Sequence, residues 1–523
     1  MKPLTAPQKS WLTLAALWLV LLVLAALRPL AVPDEGRYGE IGRWMLVSGD
    51  WLTPRLNGIP FFHKPPYLYW LEAISLWAFG VHAWALRLVP ALHAGLMLVA
   101  LYLAARAIST DVVARRAAIM LGTGLGFWVG GQYVNHDMLV AAWISVAIWC
   151  FATALMASPK PSLWLARMGF VACALGMLSK GLIGVVLPGG VILVWLIWMG
   201  QVKKLMQLPW ISGLALWGLV ALPWFVLAQH TYPDFLNYMF VGQQFHRYTA
   251  AVYNNPQPWW FYALALAVLL FPWVFLALGQ VRRVTALTLT RSLVMSTAWW
   301  RLCWAWVLVI GVFFSIPHSK LIGYILPVLP PLALLAALGW DRLMARRSHA
   351  GRVFGGVCGF NLCLAVILVT LVGDVTRSGR AQDVARALAC AARPDDTVYV
   401  MGAYPYDLPF YAQTTRPLVV MADWPMLRRQ AGDGWQRELF EGADFDAAAA
   451  RSLQPLQTLT QAGASPGGWL VMPASKQTSP TPKVPGWTVF YQGAGWTLYR
   501  SAANQGKGEG KDEGKDEGKG KGK

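Results

Sequence analysis

Acidic side chains are scarce in the first 373 residues, and their placement is informative. Only nine carboxylates occur there, and seven lie in or beside loops that we assign to one side of a membrane. These seven are Asp34, Glu35, Glu40, Asp50, Glu72, Asp137 and Asp234. Four loops bring cationic side chains to the same side, namely Lys64, Lys180, Arg247 and Lys320. Because a carboxylate can act as a general base and cations can neutralise a departing phosphate, these residue types suit chemistry on a phosphate-linked substrate.

The composition indicates a membrane protein. Of 523 residues, 56% are hydrophobic and 13% are charged, whereas soluble domains are about 25% charged. Eleven apolar stretches approach the roughly 20 residues that cross a bilayer, and two more short spans would raise the number to 13. They lie near 11–29, 84–105, 114–133, 138–157, 163–179, 182–199, 209–229, 259–279, 297–316, 321–340 and 354–373. We therefore predict a mainly α-helical, polytopic transmembrane bundle of about 11 to 13 spans over residues 1–373.

The basic residues predict the orientation of this bundle. With the amino terminus in the cytoplasm, seventeen lysines and arginines fall in the inner loops and nine on the opposite face, which agrees with the positive-inside rule. The first span lacks a small-residue cleavage site, so we expect an anchor and not a signal peptide. The net charge of +19 then reflects topology, and nucleic acid is not an expected partner. The six cysteines show no zinc or disulfide pattern.

The character of the chain changes after residue 373. A helix is predicted over Ser378–Ala392, and short alternating stretches predict four strands. The strands are Thr397–Met401, Pro417–Met421, Trp469–Met472 and Trp487–Tyr491. Residues 374–500 are therefore expected to form a small α/β domain, which an odd number of spans places outside. Residues 501–523 alternate charge with glycine and are expected to be a disordered tail.

The loop from residue 30 to residue 83 is predicted to contain helices that lie in the membrane interface. Helical spacing over Arg37–Leu46 places Asp34 and Glu35 at a helix start, where carboxylates cap backbone N–H groups. Asp34 thus has two interpretations. It is either a helix cap alone, or a catalytic carboxylate at the membrane surface.

Five segments in order resemble one known family. The segments are PDEGRYGEIGRWML, FFHKPPYLYWL, NHDM, LSKGLIG and SKLIGYILPVLPPLALL, and the resemblance covers roughly residues 10–345. They are similar to the bacterial aminoarabinose transferase group of the GT-C glycosyltransferases, which also includes protein O-mannosyltransferases. The resemblance implies transfer of one sugar from a polyprenyl (undecaprenyl) phosphate carrier to lipid A or another glycan or protein acceptor. It also implies a bacterial inner-membrane protein whose site and C-terminal domain are periplasmic.

The resemblance implies roles for particular residues. Asp34 would be the main catalytic carboxylate, and Asp137 would orient the acceptor or a sugar amine. The donor phosphate and sugar would contact Lys64, Lys180, Arg247, Lys320, Tyr324, Glu35 and Tyr67. Several positions also have a plainer interpretation. Lys64 and Arg247 are then anchors to lipid head groups, Lys180 is a polar turn residue, Tyr324 belongs to the aromatic belt, and Asp137 is a solvated loop acid.

A divalent metal ion is the one cofactor that the resemblance raises. Much of the family has glutamate directly before the lysine of the second segment, but this chain has His63. His63 and His246, which lies in another outer loop, are candidate metal ligands. Two scattered histidines are more often interface residues than ligands.

The reaction can take two forms. If the acceptor is a hydroxyl, Asp34 can act as the general base of a single inverting displacement. If the acceptor is an ionised lipid phosphate, Asp34 would instead position the donor or stabilise positive charge on the sugar. A flippase or transporter for the same lipid-linked sugar is the alternative, but transporters usually carry ionisable groups near mid-membrane, and the span centres here contain no carboxylate.

Overall fold

The computed structural model describes residues 5–157, 160–246, 255–281, 297–344, 347–375, 379–430, 432, 434–474 and 483–503. The chain divides into two compact units. The first consists of Met1–Pro29, Ile41–Pro54 and Phe61–Asp374. The second consists of Leu30–Glu40, Arg55–Pro60 and Val375–Lys523. Two segments of the loop that we grouped with the transmembrane domain therefore cluster with the C-terminal residues.

The first unit is built almost entirely of helices. In chain order they are α1 (Ala6–Ala26), α2 (Asp34–Ser48, which begins in the second unit), α3 (Tyr67–Phe79), α4 (Ala83–Ile108), α5 (Asp111–Gly122), α6 (Leu125–Gln132), α7 (His136–Met156), α8 (Leu163–Lys180), α9 (Ile183–Met199), α10 (Trp210–Thr231), α11 (Phe261–Leu269), α12 (Trp273–Leu278), α13 (Thr297–Ser315), α14 (Leu329–Met344) and α15 (Ala350–Val375). Two 3₁₀ helices, Val202–Gln207 and Ile322–Val328, and one π-helix, Asn237–His246, complete the described part of this unit.

Eight helices among the described residues are long and apolar enough to cross a membrane, which confirms the polytopic bundle. Helices α5 and α6 form a ninth candidate span that bends by 60°, where the sequence predicts one apolar stretch over 114–133. The predicted stretch 182–199 is the 17-residue helix α9. Stretch 259–279 is divided into α11 and α12, because Pro272 offers no backbone N–H and disfavours helix at the residue before it.

Helix α7 lies at the centre of the bundle and packs along α4, α8 and α9. Most of its side chains are buried, and after His136 and Asp137 they are small or apolar. This agrees with a helix that is surrounded by other helices and contacts little lipid. The N-terminal end of α7 therefore has a fixed position, and this end carries Asp137.

The second unit contains a six-stranded sheet with the strand order β5-β4-β3-β6-β8-β7. Its strands are β3 (Thr397–Met401), β4 (Val419–Met421), β5 (Leu453–Gln454), β6 (Gly468–Pro473), β7 (Trp487–Gln492) and β8 (Trp496–Ser501). Strands β3 to β6 pair in parallel, and β8 pairs antiparallel to both β6 and β7. The small α/β domain is thus confirmed, and β5 and β8 are strands that the sequence pattern did not reveal.

Five helices accompany the strands of this sheet, and the first and last of them pack against β8. They are α16 (Gln382–Ala391), α17 (Leu408–Ala412), α18 (Trp424–Gln430), α19 (Trp435–Ala443) and α20 (Thr458–Ala464). The predicted helix 378–392 corresponds to α16.

A short hairpin from the first loop belongs to the second unit. Strands β1 (Arg55–Leu56) and β2 (Ile59–Pro60) are antiparallel. The side chain of Asn57, at their turn, exchanges two hydrogen bonds with the backbone of Leu418, at 2.9 and 2.7 Å. Arg55 forms an ion pair with Asp446 at 2.8 Å. Side chains far apart in sequence therefore hold the hairpin to the unit.

Candidate functional site

Asn135, two residues before Asp137, fixes the position of Asp137 at the N-terminus of α7. Asn135 is the N-cap residue, and its side-chain oxygen accepts the backbone N–H of Asp137 at 2.9 Å. The amide nitrogen of Asn135 also donates to Asp137 Oδ2 at 3.1 Å. A capping residue of this kind satisfies a helix N–H that otherwise has no partner. Asp137 is thus held from both its backbone and its carboxylate.

Lys180 reaches the same carboxylate from the C-terminal end of α8, which lies beside the N-terminal end of α7. It is the last residue of α8, which ends at Gly181 with a φ of +97° that favours glycine. The Lys180 ammonium forms an ion pair with Asp137 Oδ1, and both side chains are only 10% exposed. The ammonium also lies 4.0 Å from the centre of the Tyr324 ring, a cation–π distance. Asp137, Lys180 and Tyr324 thus come together from three separate sequence motifs.

The segment that carries Tyr324 is held close to this ion pair. Tyr324 lies in the 3₁₀ helix Ile322–Val328, whose preceding residue accepts a hydrogen bond from Tyr262. Gly323 lies so close to Asp137 that an added Cβ would collide with its carboxylate. The glycine therefore permits the approach of this segment to α7.

Lys320 has a different environment from Lys180. Its ammonium donates to the carbonyl oxygens of Gln257 and Pro317 at 3.0 and 2.5 Å. The residue is buried, and burial lowers the pKa of Lys320. These contacts join the entry to the 3₁₀ helix with the segment before α11.

Two tyrosines of α3 bind two buried histidines. Tyr69 lies 3.2 Å from His136 Nε2, and Tyr67 lies 3.3 Å from His93 Nε2. In each histidine, Nδ1 lies 2.8 Å from a backbone carbonyl oxygen. A carbonyl oxygen can only accept a hydrogen bond, so in the neutral ring Nδ1 carries the hydrogen. Nε2 then accepts the hydrogen bond that the tyrosine hydroxyl donates. Burial raises the pKa of Tyr67 to about 12, which keeps its hydroxyl protonated.

These tyrosines fix the start of α3, directly after Lys64. Pro65 and Pro66 separate Lys64 from Tyr67 and restrict the backbone between them. Lys64 is partly exposed. Lys64 therefore lies directly before a stiff turn that α4 and α7 hold through their histidines.

Asp34 and Glu35 lie in the second unit, in the first turn of α2. The Glu35 carboxylate accepts the backbone N–H of Ala31 at 2.7 Å, so this contact closes the turn before the helix. Asp34 forms an ion pair with Arg37, which also pairs with Glu438. Burial alone would lower the pKa of the Arg37 guanidinium. The nearby carboxylates of Glu438 and Asp34 raise it by more, so the pKa of Arg37 lies well above its usual value.

The candidate metal ligands do not form a site within the described residues. No group of three or more His, Cys, Asp and Glu side chains comes together there as a metal centre. His63 stacks on Phe61 with ring centres 4.6 Å apart, and it packs near Tyr238. The backbone of His246 ends the π-helix, but its side chain lies outside the described residues, as does Arg247. Among the described residues, the surroundings of His63 therefore do not supply the three ligands of a metal centre.

Known proteins match both the sequence and the fold. The family model for dolichyl-phosphate-mannose-protein mannosyltransferase matches residues 10–239. An undecaprenyl phosphate-alpha-4-amino-4-deoxy-L-arabinose arabinosyl transferase of Sodalis glossinidius is 32% identical over 82% of this chain and 73% of its own length. The chain belongs to this transferase family. A second member, from Pseudomonas fluorescens, is 33% identical over 67% of this chain and 60% of its own length.

Two solved structures have the same overall fold as this chain. ArnT from Cupriavidus metallidurans, bound to undecaprenyl phosphate, matches with a TM-score of 0.76 at 24% identity and covers 93% of this chain and 97% of that chain. The archaeal oligosaccharyltransferase AglB from Archaeoglobus fulgidus matches with a TM-score of 0.50 at 12% identity, over 88% of this chain and 69% of that chain. At these identities the likeness shows the fold alone. It confirms the GT-C membrane fold that the sequence predicts.

Sequence reasoning missed several members of these clusters. Arg37 stands three residues after Asp34, a spacing that brings side chains together on a helix and could have revealed the pair. His136 is adjacent to Asp137 in the sequence, but its contact with Tyr69 depends on packing between α3 and α7. Glu438 had no local signal, because its partner is far away in the sequence.

Replacing Gly323 with alanine should disturb the cluster around Asp137. The added methyl group would displace the Asp137 carboxylate, so we expect Gly323→Ala to lower the apparent unfolding temperature of the detergent-solubilised protein by several degrees. Gly311→Ala is the matched control, since nothing lies within 4 Å of the Cβ that it adds. Equal unfolding temperatures for the two variants in a thermal-shift measurement would contradict this packing.

Proposed function

We propose that this protein is a glycosyltransferase that moves 4-amino-4-deoxy-L-arabinose, or a closely similar sugar, from an undecaprenyl phosphate carrier to lipid A or a comparable acceptor. Membership in the arabinosyl transferase family supports the reaction class. The likeness to an ArnT structure that binds undecaprenyl phosphate supports the carrier. We further propose that the reaction occurs at the periplasmic face of the inner membrane, on the basis of the positive-inside distribution of lysine and arginine.

One observation carries this proposal. The motifs around Asp137, Lys180 and Tyr324 lie far apart in the sequence, yet their polar side chains meet at the end of α7. The motif after Lys64 joins them through Tyr69 and His136. A polyprenyl phosphate sugar carries its own leaving group, so the protein needs to supply positive charge to the phosphate and to orient the reactants. A cluster that combines cations, a carboxylate and tyrosine hydroxyls has the groups for that task.

The contacts of the three lysines support a different role for each of them. Lys64 is partly exposed on a rigid turn, and we assign it to the carrier phosphate. Lys180 is paired with Asp137, so we propose that it orients Asp137 and adds positive potential near the phosphate. Lys320 donates to two backbone carbonyl oxygens, and we assign it to the support of the Tyr324 segment. We retain Arg247 as a candidate phosphate ligand from its position in the sequence.

Asp34 is the carboxylate that we propose for the transfer step. It is 34% exposed, the most accessible member of its ion-pair cluster. For a hydroxyl acceptor, Asp34 would remove the proton as the oxygen attacks the anomeric carbon and the polyprenyl phosphate leaves. For an acceptor phosphate that is already ionised, Asp34 would position the donor. Glu35 supports the turn that presents Asp34.

A flippase for the same lipid is the second candidate, and the charge distribution disfavours it. In the described spans the carboxylates lie in the first or last turns, at Asp111, Asp137 and Asp341. Transport pathways usually place ionisable groups near mid-membrane. The placement of charge at helix ends agrees better with catalysis at a membrane surface.

Replacing Asp34 with asparagine tests the catalytic assignment. Loss of a general base typically costs 10²- to 10⁴-fold in rate, so Asp34→Asn should nearly abolish sugar transfer by purified protein in proteoliposomes. Binding of the carrier lipid should persist, because the carboxylate does not hold the phosphate. Asp234→Asn is the control, since it removes an exposed carboxylate from the same predicted side. Normal turnover by Asp34→Asn would remove Asp34 from the mechanism.

Replacing Lys64 with alanine tests the phosphate assignment. Loss of a charged hydrogen bond typically costs about 1.5–3 kcal/mol, so Lys64→Ala should raise the KM for the lipid-linked donor by about ten- to hundredfold. Lys203→Ala, which removes an exposed lysine of the 3₁₀ helix Val202–Gln207, should leave the donor KM unchanged. An effect of Lys64→Ala on expression alone, with normal donor KM, would identify this lysine as an anchor to lipid head groups.

A further inference from the structure

Arg37 links the first turn of α2 to a carboxylate of the C-terminal part of the second unit. Its Nη2 binds Asp34 Oδ1 and its Nη1 binds Glu438 Oε1. Glu438 lies on α19, and the hydroxyl of Tyr406 donates to its other oxygen at 3.1 Å. The guanidinium also lies over the rings of Tyr38 and Tyr406, at 5.1 and 5.4 Å from their centres. Arg37 is thus held on several sides.

Burial distinguishes the two carboxylates that share Arg37. The side chains of Arg37 and Glu438 are 14% and 13% exposed, whereas that of Asp34 is 34% exposed. A buried ion pair is strongly constrained, because separating its charges in a poorly solvated place is costly. Glu438 and Arg37 therefore form the fixed part of the cluster, and Asp34 is its accessible part.

The backbone of the first turn of α2 also packs closely against a loop of the C-terminal residues. A Cβ added at Gly36 would lie 3.0 Å from the backbone of Tyr406 and Asp407. Asp407 in turn accepts the backbone N–H of Ala381 with both carboxylate oxygens, at 3.0 and 3.1 Å. The loop that packs against Gly36 is therefore itself anchored. The position of Arg37 relative to Glu438 follows from this close packing.

We infer that Glu438 is a positioning residue for sugar transfer, which acts through Arg37 on the Asp34 carboxylate. The inference rests on the proposed function, in which Asp34 takes part in the transfer step. A guanidinium and a carboxylate alone tend to form a two-pronged pair. Because Glu438 holds Nη1, Arg37 cannot present Nη1 and Nη2 together to Asp34. Glu438 thereby sets the orientation of Asp34 and limits how far Arg37 covers it.

Replacing Glu438 with glutamine tests this role. Glu438→Gln removes the charge that holds Nη1, so Arg37 can turn toward Asp34 and cover both of its oxygens. We expect kcat to fall at least tenfold while the KM for the lipid-linked donor changes less than twofold. The matched control is Glu441→Gln on the same helix, which breaks an ion pair with Arg437 and should leave kcat unchanged.

A double-mutant cycle separates positioning from simple stabilisation. If Glu438 acts through Arg37, adding Glu438→Gln to Arg37→Gln should lower kcat no further, with kcat expressed per folded molecule. Independent, multiplicative effects on kcat would overturn the inference. Should Glu438→Gln fold poorly, Tyr406→Phe removes only the hydrogen bond to Glu438, and we expect a two- to fivefold fall in kcat at constant unfolding temperature. An unchanged kcat in Tyr406→Phe would then count against the inference.

The proposed function and this inference can fail separately. If Asp34→Asn transfers sugar as fast as the wild type, the assignment of Asp34 is wrong and the role of Glu438 falls with it. If Asp34→Asn is inactive but Glu438→Gln has the same kcat as Glu441→Gln, Asp34 stands and only the positioning role is overturned.

Discussion

The buried ion pair between Asp137 and Lys180 is the constraint on which the first unit's polar cluster depends. Removing either partner would leave an uncompensated charge in a poorly solvated place, a change that typically costs 3–5 kcal/mol. The pair therefore fixes the register between the ends of α7 and α8. Tyr324 and Gly323 pack against this pair, and His136, next to Asp137, binds both Tyr69 and the backbone of Ser179. The arrangement is a property of the bundle and not of any one motif.

Asp34 is held by the same physical means in the second unit. There a buried arginine lies between two carboxylates, and the more buried carboxylate comes from the C-terminal part of the chain. In both units a carboxylate near a helix N-terminus is oriented by a cation that other buried groups restrain. Such preorganisation lowers the cost of orienting reactants during the chemical step. It also gives the C-terminal domain a direct physical connection to the residue that we propose for catalysis.

The sequence predicts the features that depend on local pattern. Hydropathy located the eight long candidate spans among the described residues. Alternation located β3, β6 and β7, and helical spacing located α2 with Asp34 and Glu35 at its start. It did not predict the bend between α5 and α6, because a continuous apolar stretch has the same composition whether straight or bent. The pairing of Arg37 with Glu438, and of Tyr67 and Tyr69 with histidines, depends on tertiary packing that periodicity cannot encode. The pairing of Lys180 with Asp137 likewise depends on the packing of α7 against α8, which the sequence pattern does not specify.

The fate of the carrier lipid distinguishes sugar transfer from lipid transport most directly. Purified protein in proteoliposomes would receive undecaprenyl-phosphate-linked 4-amino-4-deoxy-L-arabinose and lipid A, and mass spectrometry would quantify the glycosylated acceptor and the free undecaprenyl phosphate. We expect one undecaprenyl phosphate to be released for each sugar transferred, with no nucleotide present. Movement of the intact lipid-linked sugar between leaflets, without release of carrier or modification of the acceptor, would contradict this expectation.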